Sequence, residues 1–99
     1  MPGDATHLGL RPVRHLFLQP QHVALDADGT HWVPLVYGAP RSDGRWEAWI
    51  EFRPLDDRPL RVTDRETTQS NREAVEYWAT GLEPVYFEGA FARAAELPA

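Results

Sequence analysis

Apolar and polar residues alternate most clearly in the middle of the chain. Between residues 45 and 53, apolar side chains occupy every second position, at Trp46, Ala48, Ile50 and Phe52. Because strand side chains repeat with a period of two, this pattern predicts a strand with those four residues on its buried face. The intervening residues, Glu47, Trp49, Glu51 and Arg53, are predicted to face outward.

Turn residues separate this strand from other strand-like segments. Asp43-Gly44 is a strong hairpin signal, and Asp26 to Gly29 form a second turn. We predict strands at 13–18, 22–25, 30–37, 45–53 and 60–63. Pro34 cannot donate a ladder hydrogen bond, so it indicates an edge strand or a bulge. In the last strand, Leu60 and Val62 are expected to face the core, with Arg61 and Thr63 outward.

From residue 70 onward, the apolar spacing becomes helical. Ser70-Asn71-Arg72-Glu73 has the form of a capping box, with Thr67 or Thr68 as other candidate caps. A helical stripe follows at Val75, Trp78, Ala79 and Leu82. A second stripe contains Phe87, Ala90, Phe91, Ala94 and Leu97. Gly81 and Pro84 separate the two stripes, so the pattern fits either two helices or one kinked helix.

Strands followed by helices predict an α+β fold. We expect an antiparallel sheet of three to five strands, with one face covered by one or two C-terminal helices. Ninety-nine residues are enough for one domain, spanning 1–99. Within it, 1–8 is predicted to be a flexible arm, 13–63 mostly strands and 70–97 helical.

The charge balance argues against nucleic acid as a partner. The ten basic residues are all arginine and are interleaved with fifteen acids, for a net charge of −5. A phosphate-binding surface usually shows a basic stripe instead. Arginine without lysine indicates a GC-rich, bacterial coding sequence. No signal peptide and no apolar run of about 20 residues is present, which predicts a cytoplasmic protein without membrane association.

Catalytic and metal-binding motifs are not evident. The absence of cysteine removes disulfides, thiolate nucleophiles and thiolate metal sites. The four histidines lie in different predicted elements, at His7, His15, His22 and His31. No nucleophile elbow or phosphate-binding glycine loop occurs. The sequence therefore predicts no catalytic residue, no metal and no cofactor, and favours a protein that is not an enzyme.

Two groups of residues are candidates for binding. Glu47, Glu51 and Arg61 are expected on the outer sheet face, where they form either a small-ligand site or ordinary exposed charge pairs. Trp49 lies on the same face and is either a partner contact or buried core. The remaining tryptophans, Trp32, Trp46 and Trp78, are assigned to the core.

A polar segment between the strands and the helices provides the other candidate partner-binding residues. These are Arg65, Glu66, Thr68 and Gln69, and capping and turn formation are the alternative explanation for them.

The order of strand, hairpin, strand, polar link and helix between Leu35 and Leu82 resembles the small domain of HicB-type antitoxins. Ser70-Asn71-Arg72-Glu73-Ala74 is similar to the Thr-x-x-Glu-Ala-like signature that opens the helix of that family. The family's Pro-Asp-Leu-x-Gly-Cys stretch and its appended DNA-binding element do not occur here. The resemblance implies a compact α+β scaffold that holds a protein partner.

The leading hypothesis is a small bacterial protein that acts through protein–protein contact as a regulator, an inhibitor-like module or an accessory subunit. The partner is another protein or a second copy of the chain. One alternative is an enzyme or ligand-binding domain that uses Glu47, Glu51 and Arg61. Another is an RNA-binding module with Trp49 and the arginines as a stacking platform.

Overall fold

The computed structural model describes residues 13–21 and 23–97, and the flexible arm predicted at 1–8 lies outside them. The predicted α+β class and antiparallel sheet are confirmed. The elements are β1 His15–Leu18, β2 Leu25–Ala27, β3 Thr30–Pro40, β4 Trp46–Pro54, β5 Arg61–Val62, β6 Thr67–Gln69, α1 Arg72–Thr80, α2 Pro84–Arg93 and β7 Ala95–Glu96. The sheet runs β1-β3-β4-β5-β7, with β2 also paired to β3 and β6 to β4.

The predicted strand number of three to five is wrong, because the sheet has seven strands. The additional pairings come from strands of two or three residues, such as β6 and β7. Such short strands form through backbone hydrogen bonds and show no detectable period-two pattern. Accordingly, β6 lies within the predicted polar link, and β7 lies within the segment 70–97 that was predicted to be helical.

The β3–β4 hairpin is the centre of the sheet. Val36 lies opposite Ile50, and Tyr37 lies opposite Trp49. The turn depends on Asp43, whose side chain accepts a hydrogen bond from the Arg45 backbone amide at 3.0 Å. The pKa of Asp43 is lowered to about 2, mainly by this backbone hydrogen bond and to a smaller extent by side-chain hydrogen bonds from nearby arginines.

Pro34 lies in β3, which is an interior strand and not the predicted edge strand. The Leu55 amide donates a hydrogen bond to the carbonyl of His31. Because backbone bonding alternates along an antiparallel pair, the backbone groups of odd-numbered β3 residues bond to β4, and those of even-numbered residues point away from β4. The nitrogen of Pro34 therefore points toward the gap between β1 and β2. Among the described strands, none pairs with β3 at that gap, so the missing amide removes no ladder hydrogen bond.

The core joins the hairpin to both helices. Four strand side chains form a cluster with Ala79 of α1 and with Phe87 and Ala90 of α2. These four are Trp32, Val36, Ile50 and Phe52. By strand alternation they share one side of the hairpin, here called the inner face, and the opposite side is the outer face. Of the predicted core tryptophans, Trp32 is buried, whereas Trp46 and Trp78 are half-buried.

The C-terminal region contains two helices, which resolves the alternative of one kinked helix. Asn71, not the predicted Ser70, caps α1, because the Asn71 side chain accepts a hydrogen bond from the Ala74 amide at 2.8 Å. Gly81 closes α1 in a right-handed conformation. Among the helices that the structure describes, none is long and apolar enough to cross a membrane.

Gly38 permits close packing between β1 and the hairpin. A Cβ atom at this position would lie 2.8 Å from the Phe17 ring and 2.9 Å from the backbone oxygen of Glu47. Because a backbone atom cannot move aside as a flexible side-chain end can, Gly38→Ala is expected to lower the free energy of unfolding by about 1–3 kcal/mol. Urea denaturation measures this change.

Gly89→Ala is the matched control for this substitution. It lies in α2, where the nearest obstacle is the mobile end of Arg93 at 3.5 Å. Alanine there is expected to stabilise the helix by about 0.5–1 kcal/mol. Equal effects of the two alanines would show that contact at Gly38 does not limit the packing of β1.

Candidate functional site

The outer face carries a buried charge network. The carboxylate of Glu51 is fully buried and accepts hydrogen bonds from Arg14 Nε at 2.9 Å and from Trp49 Nε1 at 3.1 Å. The Arg14 guanidinium also lies 4.4 Å from the centre of the Tyr37 ring. The expectation that Glu51 lies on an exposed sheet face is therefore wrong. Of the two alternatives for Trp49, a partner contact or buried core, its complete burial favours the core.

Glu47 is also held by arginines. Only 3% of its surface is exposed, and its Oε1 lies 3.2 Å from Arg41 Nη1 and 3.9 Å from Arg65 Nη1. Because arginines pair with both glutamates, the outer face is built as a structural network and is not an open pair of acids.

Arg61 lies on the other side of the sheet from these two glutamates. Its register partner is Phe52, and its guanidinium stacks 4.6 Å from the Trp32 ring centre. Its Nη2 pairs with Asp28 at 2.5 Å. The predicted ligand site of Glu47, Glu51 and Arg61 is therefore not assembled. A shift of one residue in strand pairing exchanges the two faces, and the sequence of β5 did not reveal its register.

The predicted partner-binding residues in the polar segment separate into different environments. Thr68 pairs in register with Glu47, toward which Arg65 also extends. Gln69 pairs with Trp46, and its side chain donates to Thr67 Oγ1 at 2.7 Å. These residues form strand β6 and its approach and do not make a continuous recognition edge.

Glu66 ties this segment to α2. Its Oε1 accepts hydrogen bonds from the Tyr86 hydroxyl and from Arg93 Nη2, the latter at 2.5 Å. Burial, followed by the hydrogen bond to Glu66, raises the pKa of Tyr86 to about 12. Glu66 thus has two intramolecular partners, which indicates a structural role.

A surface group of four side chains was missed by the sequence reasoning. We call it the edge cluster, and it consists of His15 and Phe17 of β1, Trp46 of β4 and Arg72 of α1. The ring centres of His15 and Phe17 lie 5.5 Å and 6.0 Å from that of Trp46. All three rings are partly exposed, so the cluster presents aromatic surface at the end of the sheet.

Arg72 is the charged member of the edge cluster. Its guanidinium carbon lies 5.3 Å from the Phe17 ring centre and 5.6 Å from that of Trp46, within the range of cation–π attraction. Its Nη1 lies 3.5 Å from His15 Nδ1. Among the described residues, no carboxylate forms an ion pair with Arg72. The cluster therefore combines aromatic rings in tilted and edge-to-face contact with an exposed positive charge.

Only a weak signal for this cluster is present in the sequence. Its members come from three separated segments that the antiparallel pairing of β1 with β3 brings together. Trp46 followed the core pattern, and His15 drew attention only as a possible metal ligand. The one available clue was Gly38, which lies opposite His15. A glycine inside a strand indicates that another group packs closely against its backbone, and here that group is the Phe17 ring.

His31, the other histidine that the structure describes, does not extend a site. His31 pairs with Asp26 on the exposed β2–β3 turn, while His7 and His22 lie outside the described residues. Within the described part of the chain, no three His, Asp or Glu side chains are grouped to hold a metal ion.

Comparison with known protein families, curated proteins and solved structures gives no significant match to this chain. The arrangement of its own side chains is therefore the basis for a functional proposal.

Proposed function

We propose that this protein acts through protein–protein contact, and that β1 is the edge to which an extended segment of the partner adds as a strand. The observation that carries the proposal is the position of β1 at one end of the sheet formed by the described strands. A strand in that position presents backbone donors and acceptors that another strand can pair with.

The backbone of Leu16 is the centre of this edge. Its neighbour His15 lies opposite Gly38, whose backbone groups point toward β1, as do those of the other even-numbered β3 residues. The backbone of His15 therefore bonds to β3, and the amide of the next residue, Leu16, points away from the sheet. The Leu16 side chain is 50% exposed, and the nearby Val13 is 62% exposed. An incoming strand would thus find backbone partners together with apolar side chains to cover.

The edge cluster lies beside the same strand. Aromatic residues and arginine are the types most enriched among the residues that dominate binding energy at interfaces. A segment paired with β1 would place alternate side chains toward the cluster and toward Leu16. This arrangement provides both affinity through the backbone and specificity through side chains.

Other features support the same role. We propose that α1 and α2 cover the inner face around Ile50 and Phe52 and leave the edge cluster partly exposed, which directs a partner to the edge. The resemblance to HicB-type antitoxins implies a scaffold that holds a protein partner. A regulator, inhibitor-like module or accessory subunit of the bacterial cytoplasm is the function that we propose.

The two alternative functions receive less support. The glutamates required for a ligand site or an enzyme, Glu47 and Glu51, are already bonded to arginines. The stacking surface proposed for RNA depended on Trp49, which is fully buried and donates its indole hydrogen bond to Glu51.

Leu16→Pro tests the proposal because it removes the outward amide of β1. The tagged wild type, Leu16→Pro and the matched control Leu16→Ala are used as baits in lysate of the source organism, after circular dichroism has shown that each is folded. We expect a stoichiometric protein that the wild type and Leu16→Ala retain and that Leu16→Pro loses at least tenfold. Hydrogen exchange of the purified complex should show protection of the Leu16 amide.

Retention of no protein by the wild type, or equal retention by Leu16→Pro, would contradict the proposal. The mass of the isolated chain in solution shows whether the added strand comes from a second copy or from a different protein. A dimer that Leu16→Pro converts to a monomer would mean that a second copy occupies the edge in place of a different protein.

A further inference from the structure

We infer that Arg72 binds the carboxylate of an acidic side chain of the incoming segment, within the edge cluster. This inference rests on the proposed function, because it specifies the chemistry that the β1 edge selects. The ligand is an extended peptide that has a carboxylate next to an apolar side chain. The carboxylate would meet Arg72, and the apolar group would cover the partly exposed rings of Phe17 and Trp46.

The first argument is charge complementarity. Most of the described arginines have a carboxylate within 4 Å, namely Arg14, Arg41, Arg45, Arg58, Arg61, Arg65 and Arg93. Arg72 does not, although the chain carries a net charge of −5 and acids are abundant. Arg72 thus has no carboxylate partner among the described residues, and its hydrogen-bonding capacity is left for a carboxylate outside them.

The second argument is orientation. Contact with the rings of Phe17 and Trp46 restricts the guanidinium, so less side-chain entropy is lost when a ligand binds. The guanidinium N–H groups point outward in the plane of the group, and a carboxylate can accept two of them in parallel. A polar contact of 3.5 Å between Arg72 Nη1 and His15 Nδ1 also holds the guanidinium in this orientation.

The third argument distinguishes a carboxylate from the phosphates of a nucleic acid. Binding along a nucleic acid needs several arginines or lysines on one surface, because each contacted phosphate is neutralised separately. In the edge cluster Arg72 is the single arginine, and the next helical residue is the acidic Glu73. One cation beside aromatic rings fits one carboxylate on an apolar peptide better than a chain of phosphates.

A random decapeptide library displayed on phage tests this inference without knowledge of the natural partner. We expect selection against the wild type to enrich peptides that have Asp or Glu at a fixed distance from an apolar residue. For an enriched synthetic peptide, Arg72→Gln should weaken binding by about tenfold to a hundredfold, as for the loss of charge-assisted hydrogen bonds. Replacing the peptide's carboxylate by the amide should have the same effect, and the two changes should not add.

Arg53→Gln is the matched control, because Arg53 is exposed and, like Arg72, has no ion-pair partner among the described residues, but it lies on the outer face of β4. It should bind the peptide like the wild type. If peptides bind at β1 but carry no enriched carboxylate, or bind Arg72→Gln equally well, the inference is wrong while the proposed function stands. If no selected peptide is affected by Leu16→Pro, the proposed function fails. Tighter binding of single-stranded RNA than of any peptide would overturn both.

Discussion

Arg14→Met is expected to lower the free energy of unfolding by about 3 kcal/mol. The substitution leaves the carboxylate of Glu51 buried with Trp49 as its remaining donor in the described network. Removing one partner of a buried ion pair is strongly destabilising, because the other charge loses its compensation. The expected value is at the lower end of the usual range, since the Arg14 side chain is itself 29% exposed.

Urea denaturation of three variants separates this effect from a general loss of surface charge. Arg53→Met, on the same face but exposed, should change stability by no more than about 0.5 kcal/mol. The double variant Arg14→Met with Glu51→Met should recover much of the loss, since an apolar pair of similar volume can replace a buried ion pair. If Arg14→Met and Arg53→Met are equally stable, the Arg14–Glu51 pair does not stabilise the outer face.

This network shows why the two faces of the hairpin differed in how well they could be predicted. The inner face followed from alternation alone, because Ile50 and Phe52 are apolar and both are buried. On the outer face, the same rule placed Glu47 and Glu51 in solvent. The burial of Glu51 depends on Arg14, which is 37 residues away, and Glu47 pairs with Arg41 across the hairpin turn. A local pattern contains no information about such a partner.

The edge cluster was unpredictable for a related reason. Strand β1 could be recognised, but its position at the end of the sheet depends on which strand it pairs with. The pairing also contains a register shift between Leu16 and Leu18, which brings Phe17 over Gly38. Arg72 joins the cluster because α1 begins beside β6. The capping box and the apolar spacing predicted the helix but not where in the fold its first residue would lie.

Phe87→Ala is expected to be among the most destabilising single changes, at about 3–5 kcal/mol. Phe87 is fully buried in the cluster that joins α2 to the hairpin. Alanine would remove most of its apolar contacts and leave a cavity, because the neighbouring rings are held by their own contacts. For a domain of 99 residues, this loss is a large part of a total stability of about 5–15 kcal/mol.

Val85→Ala, on the same helix but 69% exposed, is the control and should change stability by no more than about 0.5 kcal/mol. Thermal and urea unfolding of the pair therefore test whether α2 is packed on the inner face. If both variants unfold like the wild type, the helix is not anchored through Phe87. If only Phe87→Ala is destabilised, α2 is anchored to the inner face through Phe87, and the helical layer supports the sheet.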